Sequence, residues 1–378
     1  MNNFIIVSHK FLTQPDDELV AFLNKKKKEN VLHICHSFSD APDRRSFYTW
    51  YKKGKIYKEE KTHDFRSIFE SFLYFKEWYF TTKWIIGTNT KWDVYIGMDG
   101  MCVLFGNILK LTKLIKKTVF WAIDFVPSHR FSSKVKNYIY HRINIHGYIY
   151  SDEMWDLSPR MAVARKKFLN IHTKTYRFHR VVPYGMWVNR IRTYEFNDCD
   201  QNTIVFMGHL IEKQGVQLLI QSLPELLEKN SKILLKIIGD GNYKETLIGL
   251  AKKNGVDKNC LFLGKIPDHK DVEKEIAKSS VALAPYIKKL DKWTYYADPG
   301  KVKTYLACGV PVLLTNIPWN TKEIIENKCG MILEESTKSI VTKVLQLMDS
   351  KLNQHYRTNA ISYAERFSYD SIFEGLHL

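Results

Sequence analysis

Glycine recurs in four segments of the second half of this 378-residue chain, three of them with a lysine, each following a run that reads as a strand. The segments are GHLIEKQG (208–215), GDG (239–241), GKIP (264–267) and DPGK (298–301). A glycine lets backbone approach a ligand closely, and a lysine or a helix N-terminus brings positive charge. Loops of this kind suit the phosphates of a ligand. They select Gly208, Gly239, Asp240, Gly241, Gly264, Lys265, Ile266, Gly300 and Lys301 as candidates. The stretch YADPGKVKTYLACGVPVLLT (296–315) reads as one helix followed by a strand. Asp298 suits its N-cap and Pro299 its first position, Val302, Tyr305 and Leu306 form one apolar face, and Gly309 ends it. Gly300 and Lys301 then stand in the first turn, where free N–H groups and the positive dipole end favour an anion.

These loops must be held by a repeated β-α frame. TIVFMG, ILLKIIGDG, CLFLGKI, VALAPY and PVLLT read as strands, separated by the helical runs VQLLIQSLPELLEK, YKETLIGLAKKNG and DVEKEIAKSS. That alternation implies a parallel sheet covered on both faces, with ligands at the carboxyl ends of the strands. In the first half, FIIVS, VLHICHSF, WDVYIGMD, TVFWAIDFV and GYIYS read as strands, while 40–89 is aromatic and without a clear period. The length suits two domains. The fold expected is α/β: two Rossmann-like doubly wound parallel-sheet domains facing a central cleft. Their ranges are 1–181, 182–355 and a closing helix over 356–378 that crosses back to the first domain.

Charge divides the chain unevenly. Residues 1–190 carry 32 Lys and Arg against 17 Asp and Glu, a net of +15, whereas residues 191–378 carry 25 against 23, a net of +2. Basic clusters mixed with aromatics fit either a nucleic acid or an anionic membrane surface. The glycine loops lie in the near-neutral half, so charge and loops do not coincide as a nucleic-acid groove requires, and no nucleic-acid partner is expected. No run of about 18 apolar residues marks a spanning helix. The start MNNFIIVSHKF lacks the basic and long apolar regions of a secretory signal. Six scattered cysteines without a C-x-x-C pair suggest neither a zinc site nor a disulfide framework.

The second half resembles the donor domain of retaining glycosyltransferases of the GT-B fold, the family 4 type (glycosyl transferases group 1). VFMGHLIEKQGVQLLIQSLPEL, LLKIIGDGNYKETL, NCLFLGKIPDHKDVEKEIAKSSVALAPY and DPGKVKTYLACGVPVLLT carry the resemblance over most of 180–345. The first half is similar to the acceptor domain through WDVYIGMDG and VFWAIDFVP. The resemblance implies transfer of a sugar from a UDP- or GDP-linked donor, with retention, without cofactor or required metal, to a glycan or lipid-linked acceptor. Surface polysaccharide or glycolipid synthesis at the inner membrane face, by a cytoplasmic, peripheral protein, is the implied setting.

The resemblance also assigns residues. The family's diphosphate-holding Arg falls on His209, and its Lys on Gln214, with Lys213 one residue earlier. His209 and Lys213 are therefore catalytic candidates, with Lys301 and Gly300 supplying further charge. Two family glutamates separated by seven residues fall on Tyr296 and Thr304. Thr304 retains a hydroxyl for a ribose, and Asp298 is the nearby acid, either a donor-sugar contact or a helix cap. The nucleobase is expected against Gly264, Lys265 and Ile266. A family His-Asp pair falls on Ile123 and Asp124, making Asp124 the catalytic candidate of the acceptor side, with His129 and Arg130 following it. His9, Lys10 and Asp99 are further acceptor-side candidates at strand ends. The missing glutamates leave a second expectation open, a degenerate relative that binds a nucleotide sugar or partners an active enzyme.

Overall fold

A computed structural model describes residues 1–10, 15–37, 44–65, 70–126, 129–290 and 294–378. The chain forms two compact units, Met1–Pro183 with Phe373–Leu378, and Tyr184–Ile372.

The first unit is built on β1 (Asn3–Lys10), β2 (Asn30–Ser37), β3 (Phe47–Lys52), β4 (Lys55–Lys61), β5 (Trp92–Gly97), β6 (Ile115–Ala122), β7 (Glu153–Asp156) and β8 (His179–Val181), ordered β4-β3-β2-β1-β5-β6-β7-β8. Six of these strands run parallel, and β3 and β4 join antiparallel. The sheet is therefore mixed, where the sequence implied a wholly parallel one. The turn residues Lys53 and Gly54 have φ of 50° and 79°, the left-handed pair that a two-residue hairpin requires. The charged, exposed KIYKEEK strand makes the outer edge, which discourages pairing with another chain. The aromatic segment that follows becomes a helix, Glu70–Gly87. Its aromatics lie on both the inner and outer faces, which hides the helical period.

The second unit is wholly parallel. Its strands are β9 (Asp200–Met207), β10 (Leu234–Ile238), β11 (Cys260–Gly264), β12 (Ser279–Ala284), β13 (Val312–Leu314) and β14 (Gly330–Ile332), ordered β11-β10-β9-β12-β13-β14. Alternation along β9 sends Ile204 and Phe206 into one core and Val205 into the core on the opposite face. Strand order reverses between β1 and β5 in the first sheet, and between β9 and β12 in the second. Those two points are where a doubly wound sheet leaves room for a ligand.

The closing segment is broken: helix Ser350–Ala364, a 3-10 turn at Glu365–Phe367 and a short helix Tyr369–Glu374. Phe373 packs in the first unit, its ring 5.4 Å from Phe22 and 6.2 Å from Trp121. Among the described residues, no helix is long and apolar enough to cross a membrane.

Candidate functional site

In the second unit the loops after β9, β10 and β11 lock together through backbone. Gly208 N–H donates to Ile238 O at 2.9 Å, Gly239 N–H to Gly264 O at 2.8 Å, and Leu210 N–H to Asp240 O at 2.9 Å. A Cβ on Gly239 would meet Gly208 O at 1.9 Å, and one on Gly241 would meet Leu210 O at 2.3 Å. These two glycines are thus required by loop-on-loop packing. Gly264 and Gly300 differ: a Cβ there would meet nothing within 4 Å. Asp240 is exposed and accepts its neighbour Gly241's N–H. His209 and Lys265 are exposed, while Ile266 packs against the core.

Lys301 occupies the switch point. It leaves the first turn of helix Gly300–Ala307 and lays its ammonium over the rings of Phe206 and Tyr286, at 4.2 and 5.1 Å. Phe206 belongs to β9 and Tyr286 follows β12, the two strands at which the order reverses. The Lys301 Nζ donates to Gln214 Oε1 at 2.5 Å. It lies 2.7 Å from where a Gly208 Cβ would stand, so a side chain at 208 would displace it. Lys213 is half-buried, and its carbonyl accepts the Ile287 N–H at 2.9 Å.

Two expectations around this helix are corrected. Pro299 is the N-cap and the helix starts at Gly300, so Asp298 does not cap it. The Asp298 carboxylate turns inward, buried, and accepts Tyr184 N–H at 2.7 Å and Trp319 Nε1–H at 2.8 Å while pairing with Lys303 Nζ at 2.5 Å. Lys303 is buried too, and donates to Tyr184 O at 2.8 Å. Burial pushes the Lys303 pKa below its ordinary value although Asp298 opposes that shift. Thr304 is 3% exposed, with its hydroxyl 3.3 Å from Gly300 O and 3.7 Å from Met186 Sδ. Its hydroxyl faces the helix's own turn and a methionine, because position 304 lies on the packed side of the helix. Tyr296, at the other glutamate position, is half-buried with its ring 5.1 Å from that of Tyr295.

In the first unit, β1 and β5 bring His9 and Asp99 together at the switch point. His9 is buried, with Nδ1 2.5 Å from Asp99 Oδ2 and Nε2 3.1 Å from Glu77 Oε2. Asp99 also caps helix Gly100–Lys110 by accepting Cys102 N–H at 2.9 Å. Close helix–sheet packing fixes that cap, since a Cβ on Gly97 would meet Val103 N at 2.5 Å. Both imidazole nitrogens face carboxylates, so His9 is held as imidazolium. Burial opposes that charge, but Asp99, Cys102 and Glu77 outweigh it and hold the pKa well above the usual histidine value. Burial likewise opposes the Asp99 charge, and His9 with two bonds from Cys102 holds its carboxyl well below the usual range. Asp124, just past the end of β6, is exposed and pairs with Arg130 Nη1 at 2.6 Å. His129 is exposed, and the side chain of Lys10 lies outside the described residues.

Sequence reasoning missed Glu77, Gln214 as a partner of Lys301, and the Asp298–Lys303 pair. Glu77 had a usable signal: Leu73, Lys76, Glu77, Phe80 and Trp84 recur at helical spacing and all face inward or partly so. Two groups of metal-ligand type also went unseen. His9, Asp99 and Cys102, and separately Asp16, His33 and Cys35, bring ligand atoms within 4.8 Å of one another. In both groups these atoms already bond each other, His33 Nε2 lying 2.9 Å from Asp16 Oδ2.

Residues 189–367, nearly all of the second unit, match the family model for glycosyl transferases group 1. The GDP-mannose-dependent alpha-(1-6)-phosphatidylinositol monomannoside mannosyltransferase of Mycolicibacterium smegmatis is 28% identical over 146 residues, 38% of this chain and 37% of that protein. The chain spans under half the length of the curated relatives it matches. Over nearly the whole chain the fold is that of solved GT-B glycosyltransferases. HepE of Anabaena, in complex with UDP, superposes with a TM-score of 0.70 at 12% identity, covering 99% of this chain and 98% of that one. Sucrose-phosphate synthase of Thermosynechococcus elongatus gives 0.71 at 12% identity, covering 99% and 97%.

Proposed function

We propose that the chain is a retaining glycosyltransferase that takes a sugar from a UDP- or GDP-linked donor to a glycan or lipid-linked acceptor without a cofactor. The observation that carries this is Lys301 at the switch point of the second sheet, beside Gly208 and in the first turn of a helix whose Gly300 is open to close approach. Breaking the bond between sugar and diphosphate leaves negative charge on the diphosphate. A fixed ammonium and the N–H groups of a helix N-terminus stabilise that charge where it develops. His209 and Lys213 flank the same loop and add to it. The base rests against the backbone at Gly264, Lys265 and Ile266, and the diphosphate approaches Gly208, Gly239, Asp240 and Gly241.

On the acceptor side, Asp99, backed by His9, accepts an acceptor hydroxyl, and Asp124 is the second carboxylate available. The relative named above uses GDP-mannose and a phosphatidylinositol mannoside, which supports a lipid-linked acceptor and peripheral work on the inner membrane face. The basic first half supports the same setting.

One observation favours the second reading, a donor-binding relative without transfer. Neither position 296 nor 304 carries a carboxylate, and Thr304 turns away from open space. A thermal-shift screen with UDP, GDP and their sugar conjugates, followed by donor hydrolysis and transfer assays, separates the two. A midpoint raised by one nucleotide family, with turnover, supports the enzyme. The same shift without turnover supports the binding relative, and no shift overturns both.

A further inference from the structure

Among the described residues, 20 of the 25 large apolar side chains that remain exposed lie in the first unit. The densest group is on helix Glu70–Gly87, where Phe72, Phe75, Tyr79 and Ile86 line one outward stripe. Phe75 is 68% exposed. Helix Gly100–Lys110 lies alongside, and the two enclose a groove of about 200 Å³ lined by Tyr74, Phe75, Trp78, Met101, Leu104 and Ile108. Leu111, 81% exposed, extends this face past the end of the second helix. A monomer does not leave so much contiguous aromatic surface in water without a use for it.

The charges around the groove indicate its occupant. Among the described side chains of these two helices the carboxylate is Glu77, and it faces inward to His9. Lys83 and Lys113 are exposed beside the apolar face. The half of the chain that carries it has a net charge of +15. Aromatic rings with lysines at their margin and, among the described side chains of the two helices, no outward acid match the boundary between acyl chains and anionic headgroups, where rings enter and ammonium groups stay at the phosphate level.

We propose that the groove between helices Glu70–Gly87 and Gly100–Lys110 is the surface by which the first unit seats on an anionic lipid bilayer. The inference rests on the peripheral-membrane reading above and names the part of the molecule that performs it. The same helices carry Glu77 and, at its cap, Asp99, so the seat lies on the elements that form the acceptor-side cluster. An acceptor anchored in the bilayer by its lipid would thus be met by the helices that hold Asp99.

The test is co-sedimentation of the full chain with vesicles of phosphatidylcholine alone and of equal parts phosphatidylcholine and phosphatidylglycerol. The double variant Phe75→Ser/Leu111→Ser changes only exposed side chains, and its melting temperature checks folding. Leu261→Ser/Leu263→Ser, on the second unit, is the control. Binding to the anionic vesicles is expected to weaken about tenfold or more in the first variant and to hold in the control. A polarity-sensitive dye on Phe75→Cys is expected to report an apolar environment on vesicle addition. Vesicle binding undiminished in Phe75→Ser/Leu111→Ser overturns the groove and leaves the membrane reading standing. No vesicle binding by the unaltered chain overturns both. Self-association that this variant abolishes, without vesicle binding, assigns the face to a second copy and likewise overturns the proposal.

Discussion

Lys301 Nζ touches Gln214 Oε1 at 2.5 Å, although 87 positions separate the two residues in the chain. By the family resemblance of the second unit, a diphosphate-holding lysine is expected at the position of Gln214. Here the ammonium arrives from the neighbouring helix and meets that same side chain. On the proposed reading, Lys301 brings from the neighbouring helix the cation that the resemblance expects at position 214. Phe206, Tyr286 and Gly208 explain how it is held: two ring faces attract it, and a missing Cβ leaves it room.

Removing the buried partner of Asp298 is expected to damage the second unit more than any change at its surface. Lys303→Met leaves a carboxylate buried with two N–H donors but no cation. Breaking a buried pair in this way costs about 3–5 kcal/mol. Asp298→Asn/Lys303→Met together is expected to recover a large part of that loss, because no uncompensated charge remains. Denaturant unfolding of the unaltered chain and the two variants checks this. Equal stability of the single and double variants would count against the pair.

Thr304→Glu is expected to lower stability sharply rather than restore a ribose contact. The new carboxylate would be buried against Met186 and the first turn of its own helix. Burying an unpaired charge costs several kcal/mol, or forces the group to remain protonated. Thr304→Val loses a single hydroxyl interaction, about 1 kcal/mol. The melting temperatures should fall in that order. A Thr304→Glu chain as stable as the parent, with tighter nucleotide binding, would return position 304 to the donor site.

The His9 cluster has a worked pH dependence. His9 has its folded-state pKa raised, so its stabilisation is fully present below the unfolded-state value of about 6.5 and is lost as pH rises through the folded-state value. Asp99 has its pKa lowered, so its contribution is present above about pH 4 and is lost as pH falls below it. Glu77→Gln removes one of the two carboxylates facing the imidazole and is expected to bring the His9 pKa down. The titratable groups facing the ring are the carboxylates of Asp99 and Glu77 and the neutral thiol of Cys102, with His36 5.8 Å away. Nitrogen NMR of the His9 imidazole across pH checks the shift. A His9 that titrates identically in both chains would separate Glu77 from it.

Local pattern carried much of the second unit. Strands that end in glycine, each followed by an amphipathic run, are readable because a parallel sheet buries both faces and turns sharply at each carboxyl end. The first unit was less legible. The β3–β4 hairpin turns at Lys53-Gly54, and a lysine with positive φ is a weak signal beside Asn-Gly. Helix Glu70–Gly87 carries aromatics on both faces, so no period stands out. Site residues failed where burial decides. Asp298 reads as a cap, yet Tyr184, Trp319 and Lys303 draw it inward from positions far along the chain. Glycines were only half-read, since loop-on-loop packing by itself already requires Gly239 and Gly241.

The relation between Lys301 and Gln214 admits one direct measurement: calorimetric titration of the nucleoside diphosphate found by the thermal-shift screen into three chains. These are the unaltered protein, Lys301→Gln, and the exchange Gln214→Lys/Lys301→Gln. Loss of a charge-assisted bond of about 1.5–3 kcal/mol is expected to weaken binding roughly 10- to 100-fold in Lys301→Gln. The exchange returns an ammonium to the same place from the other side and is expected to recover most of that loss. Unchanged affinity in Lys301→Gln, with all three chains folded, would contradict the assignment of the second-unit switch point as the diphosphate site.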